Sequence, residues 1–369
     1  MKFLTQEIGS IARPNWLIKK MRNLPLKEED YEELQHWIKF SQIERKEELE
    51  FLINKEILEE KDKEELKKFS SLLVVRCFER IGLDIIYDGE QQRTEMYQEP
   101  ISKIEGFKFY GEVRSFDNKY YKKAACIGKP KLKFPYHLEE FNYVKTLTKK
   151  PVKIPITGAY TFTNWSFNEY YLKKWIKKEK NRKKALHKAN YELAVNLAKN
   201  VIRPNILALF KAGATIIQID EPAATTEPEE IGIFVESLNN SIEGIKKCKF
   251  ILHICFSDYS ILYPEILKVK NCSQYAFEFA QSENYDFLKL MKKYSDNKEI
   301  GLGVLDVHSD KIEPPELIRD RILKAAKILD PEQIYVNPDC GLRTRSWKVA
   351  FKKLENMVKG AALARKKIS

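Results

Sequence analysis

The sequence predicts an α/β protein of the (β/α)8 TIM-barrel class, with extra segments after its first two strands. Three observations carry that expectation. Short apolar runs alternate with longer stretches of helical period, the signature of βαβ units and a parallel sheet. Eight such runs can be counted along the 369 residues. Nearly every run ends in a polar or metal-capable group, and barrels place their reactive groups at the C-terminal ends of strands.

The runs are residues 3–8, 84–87, 152–156, 215–219, 250–254, 275–279, 300–305 and 333–336. Between them lie amphipathic stretches such as 191–212 and 315–329, where apolar residues recur at spacings of three and four. Eight units suit a closed barrel better than an open, doubly wound sheet. Residues 24–70, rich in Glu, Lys and Leu, read as a helical insertion after strand 1. Residues 98–148 carry Tyr110, Tyr120 and Tyr121 with little helical period, and read as a hairpin or lid-like insertion after strand 2. Long insertions in barrels sit where substrates enter. No Gly/Ser-rich linker interrupts the chain, so residues 1–369 read as one domain.

At 43% hydrophobic and 32% charged, the composition is that of a globular chain with a large core, not a disordered one. The net charge is +12, but the lysines are mixed with glutamates. The run KKWIKKEKNRKK at 173–184 reads as a solvated helix face. It has no stacking series and no nucleic-acid motif, so no nucleic-acid partner is expected. The basic balance still favours encounters with anions. The opening MKFLTQEIGS is too polar for a signal peptide. No apolar run approaches the roughly 18 residues of a membrane span. A cytoplasmic location without a membrane partner follows as the expectation. In a large chain of that kind, six irregularly spaced cysteines point to metal or catalysis rather than disulfides.

Read to their ends, the strands finish in Gly9-Ser10, Asp88-Gly89-Glu90, Thr157-Gly158, Asp220-Glu221-Pro222, His253 with Cys255, Glu278, Asp306 with His308, and Asn337 through Gly341. The i, i+2 spacing of His253 and Cys255 points both side chains to one side of a strand end, as a chelating pair. With Glu278 and Cys340 they offer N, S, O and S, a tetrahedral set suited to Zn²⁺. Thiolates argue against Mg²⁺ and Ca²⁺, which take oxygen. On pattern alone, two buried structural cysteines and a capped histidine explain the same letters.

The stretches IGSIARP (8–14), DGEQQRTEM (88–96), PITGAYTFTNWSF (155–167), GATIIQIDEPA (213–223), LHICFSDYSILYPEIL (252–267), GLGVLDVHS (301–309) and YVNPDCGLRTR (335–345) run in order along nearly the whole chain. In them the sequence resembles the C-terminal catalytic barrel of the cobalamin-independent methionine synthases, in a short form that lacks their N-terminal barrel. The resemblance implies a (β/α)8 fold and a zinc ion held by His253, Cys255, Glu278 and Cys340. It implies a methyltransferase that makes methionine from homocysteine. Ile8, Gly9 and Ser10 would meet the amino-acid carboxylate, and Glu90 and Asp220 the ammonium. His308 would protonate the departing nitrogen of a methylated folate or pterin, as imidazole can near neutral pH. From its spacing alone, Asp306 is expected to orient that imidazole.

The methyl-donor half departs from the pattern. Trp165 matches the tryptophan on which a pterin packs, but the family's Arg-Cys contact falls on Lys119-Tyr120, and its acidic residue falls near Thr226 and Glu227. The donor is therefore expected to be either a methylated corrinoid, free or on a corrinoid protein, or a methylated folate or pterin. Two alternatives stand beside this reading: a zinc methyltransferase acting on another thiol such as coenzyme M, and a non-catalytic zinc protein. Glu90 and Asp220 weigh against the first, since a sulfonate thiol has no ammonium for them to hold.

Overall fold

A computed structural model describes residues 2–114 and 120–368. Among the described residues nine strands are formed: β1 Ile104–Arg114, β2 Tyr120–Leu132, β3 Lys153–Thr157, β4 Phe167–Asn168, β5 Ile216–Asp220, β6 Lys249–His253, β7 Gln274–Phe277, β8 Glu299–Gly303 and β9 Ile334–Asn337. Strands β3, β5, β6, β7, β8 and β9 pair in that order, all in parallel. Their buried runs are rich in Ile, Leu and Phe, as a parallel sheet covered by helices requires, but also bury Lys153, Gln218 and Gln274.

Two short segments complete the ring. Thr5 bridges Val336 of β9, Gln6 bridges Ile85, and Ile86 bridges Val152 beside β3. The closing bonds run from Gln6 N to Val336 O (2.9 Å), from Ile85 N to Thr5 O (3.0 Å) and from Lys153 N to Ile86 O (3.0 Å). The eight expected strand positions are thus present, the first two as bridges rather than full ladders. The reason is local. Both the amide and the hydroxyl of Thr5 donate to Asp84 Oδ2 at 2.8 Å, so a side chain takes a donor that a ladder would use.

The barrel interior holds a polar column instead of a purely aliphatic core. The buried Lys153 ammonium donates to Gln218 Oε1 (2.6 Å) and to the carbonyl of Glu7. Gln218 Nε2 donates upward to Ile8 O (2.6 Å) and Asp220 Oδ1 (2.7 Å). Gln6 Nε2 reaches Gln274 Oε1 (2.8 Å) and Asn337 Oδ1 (3.2 Å). A hydrogen-bonded network of this kind restrains the rotamers of its members, although Gln6 Oε1 and the Glu7 carboxylate oxygens have no hydrogen-bond partner, and here it ends at a residue of the barrel mouth.

The region after the first segment is helical: Asn15–Met21, Glu28–Ser41, Lys46–Asn54 and Glu60–Ile81. After the second segment come helix Gln98–Ser102, the antiparallel hairpin β1–β2, and helix Leu138–Leu147. Strand β4 adds to β2 in parallel. Tyr97 ties this sheet down: its hydroxyl accepts from Ala124 N (3.0 Å) and lies 2.8 Å from Ser166 Oγ. Lys119 lies outside the described residues, and Tyr120 is described only as the start of β2.

The amphipathic stretch 191–212 is not one regular helix. Helices Arg182–Leu197 and Arg203–Lys211 are joined by a π-turn at Ala198–Ile202. Pro204, which has no N–H to give, explains the slip in register. The lysines of 173–184 are exposed, and Trp175 among them is half-buried with Nε1 donating to Glu192 Oε2 (2.8 Å). Among the described residues, no helix is long and apolar enough to cross a membrane.

Candidate metal centre and substrate pocket

Strand β6 ends at His253, which pairs with Asp220 on one side and Ala276 on the other. His253 Nδ1 lies 2.7 Å from Ala276 O. A carbonyl only accepts, so Nδ1 carries a proton; burial favours the neutral ring with a lone pair on Nε2, while Cys340 and Asp220 outweigh it and raise the imidazole's pKa. That lone pair faces sulfur: Nε2 is 2.9 Å from Cys255 Sγ, which is 3.1 Å from Cys340 Sγ. The three donor atoms lie within 4.8 Å of one another.

Two sulfurs this close cannot both ionise without a cation. The Cys340 thiol is held well below its ordinary range, first by the hydrogen bond from Cys255 and then by His253. Cys255 is pushed up in return. A proton is shared where a divalent cation fits, and one imidazole with two thiols is a soft donor set suited to Zn²⁺.

Glu278 follows β7 and is buried, but stands apart from this trio. Its Oε2 accepts from Phe256 N (3.1 Å), and burial raises its carboxyl above the usual range. The structure therefore gathers three of the four expected ligands and leaves the fourth engaged with the loop that carries Cys255. Asp339, next to Cys340, accepts from three successive amides: Phe279 (3.0 Å), Ala280 (2.9 Å) and Gln281 (2.9 Å). It pins the loop after Glu278 to the loop of Cys340.

The segment around Gly9 and Ser10 lies alongside these residues. Ile11 N donates to Gly89 O (2.9 Å), and Ile11 bridges Leu342. Ile8 is buried beneath, and Ser10 is packed against Gly341. Glu90 takes the left-handed conformation (φ 58°) that side chains other than glycine seldom adopt. Its amide donates to Asp88 Oδ1 (2.9 Å), and its Oε1 lies 3.4 Å from Arg93 Nη1. Asp220 ends β5. Burial pushes its carboxyl up to about 7, His253 opposes this, and Glu90 adds to it. A buried carboxyl whose proton affinity is raised further by a neighbouring carboxylate makes a pocket that a cation relieves.

His308 is exposed, with its ring 4.4 Å from that of Phe256. Asp306 does not hold the imidazole. Its Oδ1 accepts instead from the backbone amide of His308 (2.8 Å), because an Asp two residues upstream closes an Asx turn. Trp165 is half-buried at the end of helix Ala159–Asn164, its ring 6.1 Å from Tyr97. Beside it a cavity of 670 Å³ is lined by Asn164, Ser166, Phe167 and Glu227, with Thr226 exposed nearby.

Phe256 and Asp339 were missed as functional residues by sequence reasoning. Both stand inside the quoted motifs. What they do depends on a left-handed turn at Phe256 (φ 46°) and on three amides brought in from another strand. Neither is written in residue type or spacing.

Comparison with known proteins places these features in context. The family model "Cobalamin-independent synthase, Catalytic domain" matches residues 39–363. A methionine synthase of Thermococcus kodakarensis is 42% identical over 315 residues, 85% of this chain and 87% of that protein. One of Pyrococcus furiosus is 38% identical over 368 residues, 99% of this chain and 93% of that protein. Among solved structures, a B12-independent methionine synthase from Shewanella sp. W3-18-1 in complex with selenomethionine superposes with a TM-score of 0.77. It is 23% identical and covers 100% of this chain and 99% of that one, a likeness of fold.

Proposed function

The chain belongs to the cobalamin-independent methionine synthase family, and on that premise we propose that it methylates the sulfur of homocysteine, forming methionine, at a zinc ion held by His253, Cys255, Glu278 and Cys340. The observation that carries this reading is the His253 Nε2 lone pair, fixed by Ala276 and aimed at two sulfurs 3.1 Å apart. Bound there, Zn²⁺ would supply the positive charge that keeps a substrate thiol ionised at neutral pH, where a free thiol of pKa about 8.5 is mostly protonated.

The chain's own residues do the rest. Asp339 holds the Glu278 and Cys340 loops together. Glu278 would complete the set for the ion on release of its bond to the Phe256 amide. Asp220 and Glu90 take the substrate ammonium, while Ile8, Gly9 and Ser10 present the turn that meets its carboxylate. As the new C–S bond forms, the bond from the methyl carbon to its donor breaks. If the donor is a methylated folate or pterin, that bond is C–N, and His308, resting on Phe256, gives its proton to the departing nitrogen. If the donor is a methylated corrinoid, that bond is C–Co, its electron pair stays on cobalt, and the demethylated corrinoid leaves without needing a proton. Trp165, Lys119 and Tyr120 belong to the donor side in this reading. Six free cysteines suit a reducing, cytoplasmic setting.

A donor panel tests the proposal. Zinc-loaded protein and homocysteine are offered methyltetrahydrofolate, a methylated pterin and methylcobalamin, and methionine is measured. Coenzyme M, which lacks an ammonium, is the control acceptor and should stay unmethylated. With a folate or pterin donor, His308→Gln should slow the reaction by about 10²–10⁴, the usual worth of a general acid. With methylcobalamin it should change little. No methionine from any donor sinks the reading.

A further inference from the structure

The bridge between Ile11 and Leu342 brings Arg13 beside Arg343 at the rim of the barrel mouth. Arg13 is half-buried, and burial lowers its pKa; the Glu99 and Glu90 charges oppose that fall and the Arg343 charge adds to it. A cavity of 470 Å³ opens on the pair, with Arg22, Lys67, Ser10 and Glu90 also in its wall. The cavity's acidic groups are already engaged. Glu95 accepts from the amides of Tyr97 (2.8 Å) and Glu99 (3.2 Å), and Glu90 faces Arg93 at 3.4 Å. Among the described residues, the side chains of Arg13, Arg22 and Arg343 make no hydrogen bond or ion pair. The fold thus holds like charges together, one of them partly out of water, with Glu99 and Glu90 acting on Arg13 through space but no acid bonded to it. An anion seated between the two guanidinium groups relieves that arrangement further.

Guanidinium forks match the paired oxygens of carboxylates and phosphates. The one carboxylate of homocysteine is already assigned to the turn at Gly9 and Ser10, and the cavity extends past that turn to Arg22 and Lys67. An anion seated there belongs to the second reactant. We propose that Arg13 and Arg343, backed by Arg22 and Lys67, form an oxyanion subsite that holds a phosphate or carboxylate group of the methyl donor. The identity of the ligand rests on the methyl-transfer reading above, whereas the anion chemistry of the site does not.

Calorimetric titration of the full chain with pyrophosphate, and separately with tri-γ-glutamate, tests this at low salt. At least one should bind one-to-one, and the tighter of the two tells phosphate from carboxylate. Arg13→Gln with Arg343→Gln should weaken that binding by about tenfold or more, since a hydrogen bond to a charged group is worth about 1.5–3 kcal/mol. Arg13→Lys with Arg343→Lys, which keeps charge but loses the fork, should fall between the two. Homocysteine should bind the glutamine variant as it binds the unaltered chain, which also shows that the variant is folded. The subsite is overturned if neither anion binds, or if the glutamine variant binds either as tightly as the unaltered chain. A chain that binds anion but not homocysteine overturns the acceptor reading and leaves the subsite standing.

Discussion

His253 has its tautomer chosen by a backbone carbonyl, so the nitrogen that faces the two sulfurs needs no rearrangement to act as a ligand. Replacing Cys340 by serine should bring zinc from about one ion per chain to a small fraction, because a hard hydroxyl is a poor substitute for thiolate; elemental analysis of the purified protein measures it. Phe256→Ala leaves all four proposed ligands in place but removes the surface on which the His308 ring lies. We expect full zinc content and a turnover lowered by about tenfold, since a misplaced acid loses much of its 10²–10⁴ contribution; unchanged turnover with a folate donor would show that the contact is idle. Asp88 gives a pH signature. Burial pushes its carboxyl up to about 7, with Glu140 pushing the same way. The folded chain keeps a proton that the unfolded chain releases near pH 4, so this group's contribution to stability falls as pH rises from about 4 to about 7. Asp88→Asn removes that fall, and between those limits its unfolding free energy from urea titration should move in its favour relative to the unaltered chain, by at most about 4 kcal/mol. A difference independent of pH would contradict it. At this scale the sequence spelled out the nitrogen and both sulfurs in His253, Cys255 and Cys340. It misled on Asp306, because a spacing of two serves an Asx turn as readily as a ring.

Each functional element is a strand end followed by a loop held from a neighbouring strand. Glu221, just after β5, accepts from Tyr160 N (3.1 Å), Thr161 N (2.7 Å) and Thr161 Oγ1 (2.6 Å), fastening the β5 loop to helix Ala159–Asn164. Gly158 makes room for it: a Cβ there would overlap Glu221 Oε1. Gly158→Ala should cost at least about 1–3 kcal/mol, as overpacking does, because a carboxylate committed to three donors has nowhere to move; chemical denaturation would show it. Gly303 gives Asp339 the same clearance. Strand positions were legible because a short, bounded apolar run marks a buried strand whatever it packs against. The reduction of the first two strands was not, since it depends on Asp84 capturing Thr5 from 79 residues away. Nor was the π-turn at Ala198–Ile202: apolar spacing locates a helix face but does not count residues per turn.

For the whole molecule, eight strand ends converge on one mouth, and that convergence was the strongest signal in the sequence because it needs no knowledge of side-chain contacts. The helical and hairpin insertions were legible as composition, whereas their seating on the barrel depends on tertiary contacts such as that of Tyr97 with Ser166. An ion that binds only the folded site stabilises it by about 4 kcal/mol at a thousandfold excess over its dissociation constant. Chelation should therefore lower the melting temperature by several degrees, and Cys340→Ser should melt at the same temperature with or without chelator. The ring closes through Gln6 and Val336, partners 330 positions apart in the chain. His253 and Cys255 arrive mid-chain, but Cys340 follows the strand that shuts the ring. On the ribosome, then, no fragment that stops short of Cys340 can present the assembled trio. The trio can therefore meet an ion only once the ring is shut, and a chain cut before β9 would leave β8 as an open sheet edge.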